Sequence, residues 1–193
     1  FVFELVCKAL GAERVRQEVG VNATGRAFNS IAAVEQHGGK TNPMVNSGAL
    51  ATTALVPGRD ENERWQNILT GLSRFAGRTL TLDEEVYESS RATNHRNRAL
   101  AQFLRSLGCL AIEPDEAVEQ YTRQCALEIS ARDLAVMGAT LAHGGRNPKT
   151  CERVVDEDAC RHTLAVITTA GLYESSGYWL YDVGLPGKSG IGG

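Results

Sequence analysis

The sequence lacks the marks of several function classes. No apolar run approaches the ~18–20 residues that cross a bilayer, and no basic, apolar and small-residue leader pattern opens it, so no membrane partner is expected. Charge of one sign is not in excess, with 20 Lys and Arg against 23 Asp and Glu and a net charge of -3. A nucleic-acid surface leaves a basic footprint, and none is present. Five cysteines, an odd number with no C-x-x-C pair, argue against a disulfide framework and predict reduced thiols in a cytoplasmic protein. His37, His95, His143 and His162 stand alone without zinc spacing, so neither metal nor cofactor is expected. Asn22-Ala23-Thr24 has the form of a glycosylation sequon but is read as a turn.

What is present is a globular pattern. The 193 residues, 42% hydrophobic, suffice for one well-cored domain without repeats or linkers. Phe1 to Leu10 is apolar nearly all round and predicts a buried helix. Its first N–H groups have no cap, from which further chain before Phe1 is expected. Asn42-Pro43 reads as an N-cap with proline at the first helical position, opening a small-residue helix from Met44 to Leu55. Asp60 with Glu63, Thr81 with Glu84 and Ser130 with Asp133 read as capping boxes, and Pro114 opens a further helix. Trp65, Ile68, Leu69 and Leu72 recur at helical spacing, as do Leu100, Phe103, Leu104 and Leu107. Between the latter and Ser90, the polar stretch Asn94 to Arg98 is either a solvated joint or the wall of a polar pocket. In all, about seven helices are predicted.

The C-terminal segment is different. Tyr178 to Val183 alternates and predicts a strand, followed by Gly184-Leu185-Pro186-Gly187-Lys188-Ser189-Gly190-Ile191-Gly192-Gly193, whose glycines let backbone N–H groups approach a carbonyl or an oxyanion. A glycine-rich hairpin is the plainer reading. A lone strand is a liability, so the rest of its sheet is expected outside this sequence.

Four stretches, in order and spacing, resemble the serine-dependent glutaminases, amidohydrolases of β-lactamase-like fold. They are Phe28 to Ile31, Asn42 to Ala49, His95 to Ala101 and Gly184 to Gly193. The resemblance implies a fold that is mainly α in this span. It would be part of an α/β domain like those of β-lactamases and penicillin-binding proteins, a helical cluster plus an antiparallel sheet that is mostly absent. Residues 1–176 would be the helical region and 177–193 the strand and active-site wall.

The implied reaction is hydrolysis of L-glutamine to L-glutamate and ammonia through a serine acyl-enzyme. Asn46, Asn97, Tyr121 and Tyr173 fall on substrate-binding positions, Tyr121 also on a proton-relay position, and Ile191 on one whose N–H receives the oxyanion. Lys188-Ser189-Gly190 is similar to the Lys-Thr-Gly element of the wider group, which puts Lys188 among the catalytic residues and Ser189 on the same wall. Amides and phenols suit a ligand that presents an ammonium, a carboxylate and an amide. The resemblance allows a homo-oligomer without pointing to an interface.

Two departures qualify it. The family's pattern has a glutamate seven positions before Asn97, to pair the substrate ammonium, where this chain has Ser90. Glu88, two positions earlier, is turned roughly 200° round a helix and is not expected to substitute. No Ser-x-x-Lys occurs in the sequence, so the nucleophile and its lysine are expected upstream of Phe1, and the isolated chain is expected to be inactive. Two other readings stay open, a penicillin-recognising acyltransferase or β-lactamase and a catalytically inactive helical binding module.

Overall fold

A computed structural model describes residues 1–190. Eleven α-helices follow one another: α1 (Val2–Leu10), α2 (Ala12–Val19), α3 (Ile31–Gln36), α4 (Asn46–Ala54), α5 (Glu61–Ala76), α6 (Glu84–Thr93), α7 (His95–Ser106), α8 (Pro114–Cys125), α9 (Ala131–Ala142), α10 (Glu157–Ala170) and, after a 3₁₀ turn at Tyr173–Ser175, α11 (Ser176–Val183). Among the described residues there is no strand, only isolated bridges between Leu82 and Leu127 and between Arg146 and Arg153. The expected mainly helical architecture is present.

The helical stripes bury as their spacing predicts. Trp65, Ile68 and Leu72 of α5 join Phe75 in a core shared with α1, α2, α9 and α10. Leu100 and Leu104 of α7 pack with Ala117 and Val118 of α8 in a second core. Helix α4 lies between them, giving Ala51, and Leu55 just past its end, to the first and Leu50 and Ala54 to the second. Small residues make this position possible. A Cβ on Gly48 would stand 1.8 Å from the carbonyl oxygen of Asn42, so only glycine lets α4 lie against that loop.

Several helix starts differ from the sequence reading, each for a local reason. Ser130 and Asp133 form a reciprocal capping box, and Pro114 opens α8. Asp60 accepts from the Glu63 N–H at 2.8 Å, but the Glu63 carboxylate turns to Arg59 instead of closing the box. Thr81 is not a cap: its carbonyl accepts the Glu128 N–H at 2.9 Å in the short pairing around Leu82 and Leu127. Asp83 caps α6 instead. Asn42 is not a cap either. Its side-chain oxygen accepts the N–H of Met44 at 2.9 Å in a local turn, its amino group donates to the carbonyl of Asn22, and α4 begins only at Asn46.

The larger correction concerns Tyr178 to Val183, which is not a strand but the body of α11. An extended segment needs a partner for its N–H and C=O groups. With no sheet among the described residues, a helix satisfies those groups internally, and Ser176 anchors it by accepting the Leu172 N–H and donating to the Tyr173 carbonyl. The alternation of aromatic side chains misled because they face outward: Tyr178 and Tyr181 are 79% and 90% exposed.

The five cysteines are free thiols, with Cys7 and Cys160 buried. Burial first, then Glu4, pushes the Cys7 thiol up to about 12 and the Cys160 thiol up to about 11. Both are therefore un-ionised core residues.

Candidate functional site

The site gathers where the first turns of α4 and α7 meet. Asn46 is the first residue of α4 and Asn97 the third of α7. The Asn46 side-chain amide donates to the Asn97 side-chain oxygen at 2.9 Å. This pairing leaves the Asn46 side-chain oxygen Oδ1 and the Asn97 side-chain amino group without a protein partner among the described residues. Asn97 is only 9% exposed, whereas His95 and Arg96 beside it are exposed, so within the polar stretch at the start of α7 it is Asn97 that turns inward, toward Asn46.

Tyr173 sits at the far end of the chain, in the 3₁₀ turn, with a left-handed φ of 53°. Its ring stacks on Phe28 with centroids 5.5 Å apart and planes at 27°. The Lys188 ammonium lies 5.1 Å from the ring centroid and donates to the Tyr173 hydroxyl at 3.3 Å. Backbone contact brings that lysine here. The Ser189 N–H donates to the Gly171 carbonyl at 3.2 Å, and a Cβ on Gly171 would fall 2.1 Å from the Gly187 carbonyl oxygen. Only glycine permits the 184–190 loop to lie so close to the end of α10.

Phe28 closes the circuit by accepting the Asn46 backbone N–H at 2.8 Å. Arg96 of α7 steadies the same loop, its Nε donating to the Asn29 carbonyl at 3.0 Å. Asn97, Asn46, Phe28, Tyr173 and Lys188 thus form one connected series.

Tyr121 stands on α8, half-buried. Burial pushes its phenol well above the ordinary value, and Cys125 one turn along and the Tyr173 hydroxyl push it further. It is held as a neutral O–H, a donor and acceptor rather than a phenolate.

The acidic side of the site is thin. Ser90 is half-buried on α6, whereas Glu88 is 64% exposed and only approaches Arg91, at 3.9 Å. Glu119 is engaged structurally: it accepts from the Tyr87 hydroxyl and lies 3.4 Å from Arg123, tying α6 to α8. Burial and then that bond raise the Tyr87 phenol to about 12. Ser189 is half-buried beside Lys188, and Ile191 lies outside the described residues. The part played by Phe28 carries no local signal, because a stacking partner so remote in sequence is visible only once the chain is folded. Among the described residues no group of three or more His, Cys, Asp and Glu side chains is placed to hold a metal, and no helix is long and apolar enough to cross a membrane.

The glutaminase family model matches residues 1–193. A relative from Yersinia pestis named glutaminase 2 is 63% identical over 194 residues, covering 100% of this chain and 57% of its own length. A glutaminase from Brucella canis is 50% identical, again over 100% of this chain and 61% of its own. Among solved structures, a probable glutaminase, ybaS, superimposes with a TM-score of 0.97 at 44% identity, covering 100% of this chain and 62% of that one. A Bacillus subtilis glutaminase, solved as a covalent complex with 5-oxo-L-norleucine, gives a TM-score of 0.86 at 33% identity, covering 100% and 61%. The chain spans about three-fifths of the length of these relatives. Its helices are the helical part of their β-lactamase-like fold.

Proposed function

The chain belongs to the glutaminase family, and from that membership we propose that the protein carrying it hydrolyses L-glutamine to L-glutamate and ammonia. The observation that carries the reading is the Asn46–Asn97 amide pair, linked through Phe28 to Tyr173 and Lys188. The open Asn46 side-chain oxygen suits the substrate ammonium, and the open Asn97 side-chain amino group suits its carboxylate.

Neutral Tyr121 acts as a proton relay: its hydroxyl accepts a proton on one side as it releases one on the other, without becoming a free phenolate. The Lys188 cation, resting on Tyr173, adds positive potential where negative charge develops on the attacked amide oxygen. The nucleophilic serine and its lysine come from sequence outside these residues, and the Ile191 N–H is assigned to the oxyanion. Ser90 leaves the ammonium without a carboxylate partner, so affinity rests more heavily on Asn46. The protein is proposed to act in the cytoplasm and to form a homo-oligomer.

Glutamate release from glutamine by the full-length protein is the test. Absence of release, together with failure of glutamine to raise the unfolding temperature, would sink the reading. The Lys188-Ser189-Gly190 element favours one alternative, a penicillin-recognising acyltransferase or β-lactamase, and covalent labelling of the full-length protein by a β-lactam in place of glutamine turnover would establish it.

A further inference from the structure

We infer that Phe28 is a positioning residue that holds the two halves of the site in register, with its ring on Tyr173 and its carbonyl on Asn46. The inference rests on the glutaminase reading above and adds a residue to it.

Tyr173 needs outside support. A left-handed backbone is uncommon for an aromatic residue, and such strain persists only where surroundings hold it. The 3₁₀ turn that bears it buries no residue completely, and Tyr173 itself is only half-buried, so neither hydrophobic core holds the phenol. Of the aromatic and cation–π partners of its ring among the described residues, Lys188 is an exposed, flexible chain. Phe28 is flat and rigid, and its centroid distance of 5.5 Å lies in the range where aromatic pairs attract.

The other half of the device is main chain. The first N–H groups of a helix have no partner within it, and Val45, the residue before α4, offers no side-chain cap. The Phe28 carbonyl takes that place for Asn46 at 2.8 Å. Its loop is fixed just after Phe28, by Arg96 on Asn29 at 3.0 Å and by the Ser30 side chain capping Ala33 at 3.2 Å, and the Ser30 N–H closes a turn across Phe28 onto the Ala27 carbonyl at 3.0 Å. One residue therefore sets where the amide pair begins and which way the phenol points. Phe28 touches no reacting atom; it acts through Asn46 and Tyr173.

Glutamine kinetics of the full-length protein test this. Phe28→Leu keeps the backbone carbonyl and apolar bulk but removes the ring. It is expected to raise KM about two- to tenfold, the range of an aromatic pair's coupling, with kcat within about twofold. Phe28→Tyr, which keeps the ring, is expected within about twofold of wild type in both. In a Tyr173→Leu background, Phe28→Leu is expected to add nothing. An unchanged KM in Phe28→Leu, or effects that multiply in the double variant, would overturn the inference while leaving the glutaminase reading intact. If the wild type releases no glutamate, that reading falls instead, and thermal unfolding of the same variants decides: a double variant no less stable than Tyr173→Leu upholds the stacking role, and additive losses overturn it.

Discussion

Gly48→Ala puts one methyl group where the fold has no room. The new Cβ would meet backbone, 1.8 Å from the Asn42 oxygen and 2.4 Å from its carbonyl carbon. Ordinary contact begins near 3.4 Å, so α4 and the Asn42 turn must separate by about 1.6 Å, the difference between 3.4 and 1.8. Neither side yields easily. The Asn42 side chain is bound to Asn22 and Met44, and α4 is packed on both cores. Overpacking typically costs ~1–3 kcal/mol, and a clash with backbone belongs at the upper end. In a full-length protein of its relatives' size, roughly 320–340 residues, ~2.1 cal/mol/K per residue makes this about 1.5 °C per kcal/mol, a fall of about 4 °C in unfolding temperature. The displacement also acts on the site, since Asn46 lies two residues before Gly48, so glutamine turnover should fall further than stability alone explains. Gly138→Ala in α9 is the control, because its Cβ meets nothing within 4 Å. It should be neutral or gain up to ~1 kcal/mol from helix propensity. Scanning calorimetry of both full-length variants reads the contrast. A Gly48→Ala protein as stable as wild type would refute the seating of α4 against the 41–42 loop.

Ser90→Glu in the full-length protein is expected to tighten glutamine binding at least tenfold, in line with the ~1.5–3 kcal/mol of a charge-assisted hydrogen bond. Titration calorimetry measures it, and unchanged or weaker binding would mean that another group already partners the ammonium. At Asp133, the Arg78 guanidinium and then the Ser130 N–H and hydroxyl hold the carboxyl well below its usual range. A depressed folded-state value contributes stability above the unfolded value near 3.9 and loses it as pH falls below. Thermal unfolding of Asp133→Asn should therefore be flatter than wild type below about pH 4 and less stable near neutrality. Parallel curves would remove Asp133 as the source.

Much of the fold is legible in the residues because its signals are local. Trp65, Ile68 and Leu72 mark the buried face of α5, and Ser130 with Asp133 fixes the start of α9, since these patterns concern contacts within a turn or two. Helix α2 is harder to see. It is short and polar, and only Val15 and Val19 are buried. Thr81 and Asn42 look like caps until partners from Glu128 and Asn22 engage them. The strand predicted at Tyr178 to Val183 rested on alternation alone, and alternation on an outward-facing helix carries no information about pairing. In the site, Asn46 and Asn97 are found through resemblance rather than spacing, because what joins them is the packing of α4 on α7. No local pattern announces that Phe28 will lie under Tyr173.

The position of α4 has a thermal consequence. Leu50 and Ala54 serve one core, Ala51 and the helix-ending Leu55 the other. Neither core can melt while the other stays intact, because the first to loosen removes a wall from its neighbour. The helical region should therefore open as one cooperative unit, and the amide protons of α4 should be among its slowest to exchange with solvent. Asn46, at the head of that helix, is thereby seated on an element that both cores hold.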